Sequence, residues 1–369
     1  MSSQRKYLLV TVPLLAAVVV WAGYSLTKRP HEPPTHAEVA GPATVQTNAD
    51  QLPGTVVTSH LECEITPGKN VLWCATFQIA WNEVYDLFGG PIQWTGAPEM
   101  VSILNKRAVT GRDLDEASYV AVAGKTTGGP DDVREKITRE LDRKFKGAPS
   151  PELRHLLDSV PAGMWASYAY SFKELPFQWA FRRMQYRGLM FAGCEVENFG
   201  IWQFLKSEKD EAKQASQVLV YDYRDSDDFI VELKTRSKSD RLVLAKIPPG
   251  RTLAETIAAV QTRLQQSKPG SMQECTDLLV PVIDFDVLRS YDELLQGPFA
   301  IAAQQIRFKL DERGAVLKSE AATVGAEVHM NLVFDKPFLV MIQRTDAKQP
   351  YFALWVANAE LLVPFQPRQ

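Results

Sequence analysis

The later part of the sequence consists largely of short apolar stretches separated by polar turns, and this pattern limits the possible folds more than any other feature. Three of these stretches, Gln217–Tyr223, Phe229–Lys234 and Leu242–Ile247, follow one another closely enough to predict an antiparallel meander. Further strands are predicted over similar stretches, namely Thr55–Ile65, Leu278–Val287, Ala300–Leu310, Pro337–Arg344 and Tyr351–Ala357. Much of the chain is therefore predicted to be β-structure.

Helical periodicity indicates three helices, two of which precede most of the strands. The first has Asn70 as its predicted N-cap and stops at Gly89-Gly90; its apolar residues at helical spacing are Trp73, Phe77, Ala80, Val84 and Leu87. The second, from Asp131 to Phe145, is dense in alternating charge, which predicts a solvated outer face. The third begins at Thr252 and runs to about Gln266. This order of elements indicates an α+β fold in one large unit.

The N-terminal part differs in composition from the rest of the chain. From Tyr7 to Thr27 there are 21 residues without a formal charge, enough to cross a hydrocarbon core of roughly 30 Å. We predict a signal anchor over residues 1–28, a Pro-rich linker over 29–54 and a folded domain over 55–369. The folded domain is expected to be extracytoplasmic, periplasmic or extracellular, and tethered to the membrane by the N-terminal helix. A cleaved signal and a secreted form are the alternative.

Composition and motifs exclude several functional classes. The formal net charge of −3 gives no reason to expect a polyanion-binding surface, so nucleic acid is not expected as a partner. Gly124-Lys125-Thr126 resembles the end of a phosphate-binding loop, but Tyr119 stands where that loop requires its first glycine. The histidines of the predicted domain, His60, His155 and His329, are widely separated. We therefore expect no enzyme activity, no metal site and no cofactor.

The four cysteines allow two interpretations. Cys63 and Cys74 are close enough in sequence for a disulfide if the domain is exported. The alternative is that Cys63, Cys74, Cys194 and Cys275 are all free thiols.

The segment from Ala315 to Val328 is rich in small residues and lies between two predicted strands. Divided by the two-residue period of a strand, one set is uncharged and mostly small: Ala315, Leu317, Ser319, Ala321, Thr323 and Gly325. The other set carries Lys318 and Glu320. The segment therefore suits a strand with one buried face and one solvated face, and its small side chains also suit a loop. An ordinary edge hairpin is the alternative.

Several colinear pieces of the chain resemble the serpin (serine protease inhibitor) family. Glu312-Arg313-Gly314-Ala315, the Ala/Thr-rich segment after it, and Phe334–Leu339 resemble that family's hinge, reactive loop and following strand. Upstream pieces resemble other family segments in the same order, namely Asn70–Trp73, Ala169–Lys173, Leu242–Pro248, Thr252–Glu255, Val280–Phe285 and Tyr291-Asp292. The resemblance covers about residues 55–369.

The resemblance implies a fold of three β-sheets with several helices and a reactive-loop-like segment near residues 314–334. It also implies that a serine or cysteine protease attacks the loop and forms an acyl-enzyme, after which the cut loop inserts as a strand into the central sheet. The implied reactive bond is Val328–His329, which suits an elastase-type pocket. The implied loop-hinge residues are Glu312, Gly314, Ala315, Leu317, Ser319, Ala321 and Thr323. A monomer without cofactors is expected.

The sequence also departs from the family pattern. Cys74, Ala75 and Phe77 stand where the family usually has Ser-Pro-x-Ser beneath the opening sheet, and Gln304 occupies a position that often holds His. The rival hypothesis is a non-inhibitory, serpin-like binding or structural module on a membrane tether, in which the loop stays outside or is already inserted.

Overall fold

The computed structural model describes residues 45–129, 131–145, 158–171, 173–205, 207–273, 276–294, 302–315 and 330–366. Over these residues it contains five α-helices and nineteen β-strands, which confirms the predicted α+β class. The helices are α1 (Thr76–Leu87), α2 (Pro98–Leu104), α3 (Val133–Phe145), α4 (Lys209–Ala215) and α5 (Leu253–Gln266).

The strands lie in several sheets. They are β1 (Val45–Asn48), β2 (Thr55–Thr58), β3 (Asn70–Cys74), β4 (Tyr119–Lys125), β5 (Trp165–Ser171), β6 (Arg182–Arg183), β7 (Leu189–Phe191), β8 (Cys194–Val196), β9 (Asn198–Ile201), β10 (Val218–Asp225), β11 (Asp228–Leu233), β12 (Asp240–Lys246), β13 (Gly270–Ser271), β14 (Asp277–Pro281), β15 (Ile283–Ser290), β16 (Ala303–Leu310), β17 (Asn331–Val333), β18 (Phe338–Arg344) and β19 (Phe352–Val356).

The largest sheet has eight strands in the order β13-β10-β11-β12-β18-β19-β3-β2. It contains the predicted meander β10-β11-β12 and the predicted C-terminal hairpin β18-β19, both antiparallel. Its inner strands are continuously apolar and buried, as in Phe338–Ile342 and Phe352–Val356. A second sheet has the order β17-β14-β9-β6.

The third layer, which we call the central layer, is divided into two parts. One part is the three-stranded sheet β1-β15-β16, and the other is the pair β4-β5. Among the described residues, no strand pairing joins β5 to β16. A further pair, β7-β8, completes the five hydrogen-bonded sheets of the described residues, and the mixed architecture of helices and several sheets is the one that the resemblance implied.

Helix α1 lies against both parts of the central layer. The Ser167 hydroxyl of β5 donates a hydrogen bond of 2.8 Å to the carbonyl oxygen of Ala80 on α1. On the β15-β16 side, the ring of Phe77 contacts that of Tyr291, with their centroids 4.2 Å apart. Helix α3 covers the face of β4-β5 that lies opposite α1. The side of α3 that carries Val133, Ile137 and Leu141 is buried there, so only its other side is solvated.

The N-terminal boundary of the fold lies earlier than predicted. Strand β1 pairs in parallel with β15, placing Val45 beside Phe285, and Asp50 forms an ion pair of 2.9 Å with Arg289. The last residues of the predicted linker 29–54 therefore belong to the fold, because β15 offers them a strand edge. The predicted anchor, 1–28, lies outside the described residues. None of the described helices combines the length and apolar character that a bilayer crossing requires.

The predicted role of Asn70 as a helix N-cap is wrong. Asn70 begins β3, and α1 begins only at Thr76. The helical spacing of Trp73 is overridden because Val71, Leu72 and Trp73 pair with β2 on one side and with β19 on the other.

The buried Asn70 side chain joins three parts of the chain. Its Nδ2 donates to Thr55 Oγ1 at 3.1 Å and to Asn358 Oδ1 at 2.9 Å. Its Oδ1 accepts from the backbone N–H groups of Ala357 at 2.7 Å and Asn358 at 3.0 Å. All four hydrogen-bonding directions of the amide are used, which fixes the end of β19 against β2 and β3.

The substitution Asn70→Ala is expected to lower the free energy of unfolding by about 2–4 kcal/mol, because it removes these hydrogen bonds and leaves buried backbone N–H groups unpaired. Urea denaturation measures the change. The exposed neighbour Lys69 offers a matched control, and Lys69→Ala should change the free energy by less than about 0.5 kcal/mol. Equal effects of the two substitutions would contradict this role for Asn70.

Candidate functional site

The predicted hinge follows directly from β16 through a tight turn. The N–H of Gly314 donates to the carbonyl oxygen of Asp311 at 3.2 Å, and Asp311 Oδ1 accepts from the N–H of Arg313 at 2.9 Å. Gly314 has a φ of +136°, and a Cβ there would lie 2.3 Å from the carbonyl oxygen of Leu175. Only glycine fits this position without displacing backbone.

The hinge is attached to the chain that follows β5. Gly314 forms an antiparallel bridge with Pro176, and the carbonyl oxygens of Arg313 and Glu312 accept from the N–H groups of Phe177 and Phe181, both at 2.8 Å. The next residue, Ala315, is only 2% exposed. The chain that enters the candidate loop therefore already runs antiparallel to the strand direction of β5.

An ion-pair network fixes the hinge to the four-stranded sheet. Glu312 Oε2 accepts from Arg183 Nη1 of β6 at 2.7 Å, and Arg183 Nη2 binds the carboxylate of Glu197. Burial disfavours the charge on Arg183, but the hydrogen bonds to the two carboxylates outweigh that effect and raise its pKa. The hinge is thus held by charge as well as by backbone pairing.

The two parts of the central layer lie over the same stretch of α1. Ser167 of β5 binds Ala80, and Gln304 of β16 binds Thr76, about one turn earlier on the helix. Both β5 and β16 run towards the hinge, so they are parallel to each other. Their adjacent edges have no strand partner among the described residues.

Gln304 connects β16 to the start of α1. The side chain is completely buried; its Nε2 donates to the Cys74 carbonyl oxygen at 3.1 Å and to Thr76 Oγ1 at 2.9 Å. Its Oε1 accepts from the Tyr291 hydroxyl at 3.0 Å, and burial raises the pKa of that hydroxyl, which remains a donor at neutral pH. The Gln304 amide thus donates two hydrogen bonds and accepts one, at the position where the serpin family often has His.

The far end of the candidate loop is also fixed. Strand β17 pairs in parallel with β14, and Phe334 is fully buried. Lys246, which is 3% exposed in its side chain, donates to the Val333 carbonyl oxygen at 3.0 Å and to Asp335 Oδ1 at 2.6 Å. The residues that follow the candidate loop are therefore firmly bound to the fold.

The structure brings together only part of the predicted site. Glu312, Gly314 and Ala315 lie side by side at the hinge. The remaining predicted residues fall outside the described ranges: Leu317, Ser319, Ala321, Thr323, Val328 and His329. The sequence analysis missed Arg183, because an arginine in a short polar stretch carries no signal of a partner 129 residues away.

The cysteines support the free-thiol interpretation where they are described. Cys63, Cys74 and Cys194 are free, and burial raises the pKa of the Cys63 and Cys74 thiols. The conceivable Cys63–Cys74 disulfide is therefore not formed in this structure. No group of three or more metal-ligating side chains occurs in the described part of the chain.

Comparisons with known proteins found similarity among solved structures. Neither a family model nor a curated protein matches the sequence. A serpin of the insect Tenebrio molitor, described as highly specific, matches with 11% identity over 79% of this chain and 92% of that chain, at a TM-score of 0.40. A serpin from the trematode Schistosoma haematobium matches with 12% identity over 79% and 94%, at 0.44. Human thyroxine-binding globulin complexed with thyroxine matches with 10% identity over 82% and 94%, at 0.43.

The substitution Glu312→Gln is expected to loosen the hinge, because Arg183 then keeps only Glu197 as a charged partner. We expect a loss of about 1 kcal/mol, seen as roughly fivefold faster hydrogen exchange at the N–H groups of Phe177 and Phe181. The exposed carboxylate of Glu208 provides the control, and Glu208→Gln should leave these exchange rates unchanged. Unchanged exchange in Glu312→Gln would show that the ion pair does not hold the hinge.

Proposed function

We propose that this protein is a serpin-like protease inhibitor that acts as a suicide substrate through the loop near residues 314–334. The observation that carries the proposal is the divided central layer: in the described part of the chain, β5 and β16 lie on one helix without pairing to each other, and the hinge stands at the end they share. The proposed target is a serine or cysteine protease, and the protein itself has no enzyme activity in this proposal.

The direction of the chain suits insertion between the two strands. At Gly314 the backbone already runs antiparallel to Pro176, so its continuation would run antiparallel to both β5 and β16. A cut at Val328–His329 leaves the residues from Ala315 to Val328 attached to the hinge, which span about 46 Å when extended. Strand β16 has 8 residues and needs only about 27 Å.

Insertion of that strand would release substantial free energy. About ten new backbone hydrogen bonds, each worth a net 0.5–1.5 kcal/mol, contribute on the order of 10 kcal/mol. This is comparable with the whole free energy of unfolding of a typical domain. Ala315 is buried at the hinge. This supports the prediction that the small, uncharged set of alternate residues would face inward.

The far end of the loop is bound to the fold, which explains why cleavage would have to precede insertion. While the loop is intact, its insertion would have to pull β17 away from β14 and from Lys246. The protease nucleophile attacks the Val328 carbonyl carbon, the bond to the His329 nitrogen breaks, and Val328 stays attached to the enzyme as an acyl group. The hinge-side chain is then free to insert and to carry the protease with it before water hydrolyses the acyl bond.

Cleavage of the full chain by an elastase-type protease is expected to raise the Tm on the order of 10 °C and to yield a covalent complex that resists SDS. Ser319→Glu should still be cleaved but give neither result, because insertion would bury a carboxylate at a cost of several kcal/mol. Ala322→Glu places the same charge on the solvated face and should behave like the parent. Differential scanning calorimetry and denaturing gels measure both outcomes.

A cleaved parent whose Tm stays unchanged would overturn the inhibitor proposal and favour the rival, a non-inhibitory serpin-like binding or structural module. That rival has its own support in the structure. The contact of Phe77 with Tyr291 and the bonds of Gln304 tie β16 closely to α1, which opposes sliding of the layer.

The proposal includes a membrane tether through residues 1–28, with the domain on the extracytoplasmic side. The full chain expressed in cells should stay with the membrane fraction after alkaline carbonate extraction, whereas a chain that begins at residue 29 should be soluble. The uncharged run from Tyr7 to Thr27 is the reason for this expectation. Release of the full chain by carbonate would contradict the tether without bearing on inhibition.

A further inference from the structure

A large groove lies beside the central layer, along the edge of β4 that does not pair with β5. Its volume is about 1190 Å³, above the roughly 300–1,000 Å³ of typical small-molecule sites. Its walls are the outer edge of β4, one side of α3, Glu83 of α1 and the segment 107–114. A groove of this size, with a strand edge along one wall, has room for a length of polypeptide.

The wall formed by β4 presents backbone groups that are available for pairing. Within the described residues, β5 is the only strand that pairs with β4. Thr126 exchanges backbone hydrogen bonds with the chain that leads into β5, and alternate residues of an antiparallel strand point the same way. Since Thr126 faces β5, the residues an odd number of positions before it face the other way. Ala121 and Ala123 therefore direct their N–H and C=O groups into the groove. The carbonyl oxygen of Tyr119 points there too, and it accepts from Lys144 Nζ at 2.9 Å.

The charge of the groove favours an acidic occupant. Its lining contains three acidic residues and six basic ones, the latter being Arg107, Arg112, Lys136, Arg139, Lys144 and Arg344. Arg112 and Arg139 form no ion pair with any described residue. Burial and the neighbouring Asp86 raise the pKa of the Glu83 carboxyl, whereas Arg107 acts in the opposite direction.

We propose that this groove binds an extended acidic segment of a partner protein, which adds as a strand to the open edge of β4. Backbone pairing with Ala121 and Ala123 supplies affinity, and the guanidinium groups of Arg112 and Arg139 select carboxylate side chains on the added strand. The site is separate from the hinge and requires no cleavage of the loop, so it stands or falls independently of the inhibitor proposal.

The test uses the full chain and fluorescein-labelled peptides of ten residues, followed by fluorescence anisotropy. A peptide of alternating Thr and Glu should bind. A peptide of alternating Thr and Lys should bind at least tenfold more weakly, because it opposes the charge of the groove. The Thr-Glu peptide with N-methyl groups on its four central residues should also lose at least tenfold, because it cannot donate to the strand edge.

Two variants locate the binding. Ala121→Pro removes one N–H from the open edge, where proline is tolerated, and should weaken the Thr-Glu peptide about tenfold. Arg139→Glu should weaken it to a similar degree, whereas Arg251→Glu, the same charge change outside the groove, should leave the Kd unchanged. Thermal melting confirms that each variant is folded. If Ala121→Pro does not fold, the Kd of the Arg139→Glu variant alone shows whether the peptide binds in the groove.

Three results would overturn the proposal. If the N-methylated peptide bound equally well, the groove would recognise negative charge alone and would bind any polyanion. Unchanged binding to both groove variants would place the peptide elsewhere on the protein. Absence of binding by the Thr-Glu peptide at 1 mM, taken as roughly the upper limit for a weak site, would remove the basis for strand addition.

Discussion

The rest of the structure depends on one constraint: a single buried helix passes beneath both parts of the central layer. Helix α1 binds β5 through Ser167 and β16 through Gln304 and Thr76, so each part has its own attachment to the same support. In the part of the chain that the structure describes, β5 and β16 are therefore held near each other without being paired to each other. The eight-stranded sheet fixes this helix in turn, because β3 leads directly into it.

The two ends of the candidate loop are bound in different ways, and the difference matters for function. The hinge end is a turn with a glycine that no other residue can replace, held by Arg183 and by backbone pairing. The return end is a short strand whose carbonyl and carboxylate oxygens bind the buried Lys246. In the proposed mechanism, a cut between these two ends would free the hinge side, which lies next to the edges of β5 and β16 that have no strand partner among the described residues.

The sequence predicts those elements whose apolar pattern is local. The meander β10-β11-β12, the helix after Thr252 and the C-terminal hairpin follow from periodicity and turn residues alone. The assignment of Asn70 failed because its helical spacing competes with pairing to β19, almost 290 residues away. The hinge residues Glu312 and Gly314 were found by resemblance, but their partners Arg183 and Pro176 were not, since pairing over such distances leaves no trace in a single sequence.

The position of β19 sets the order in which the molecule can be assembled. This strand lies between β18 and β3, so before it arrives the eight-stranded sheet exists as two separate pieces. Its residues follow those of every other strand of this sheet in the chain, so the ribosome makes them after β2 and β3. A nascent chain consequently carries an unfinished sheet with two open apolar edges until β19 is made, and unpaired edges of this kind favour aggregation.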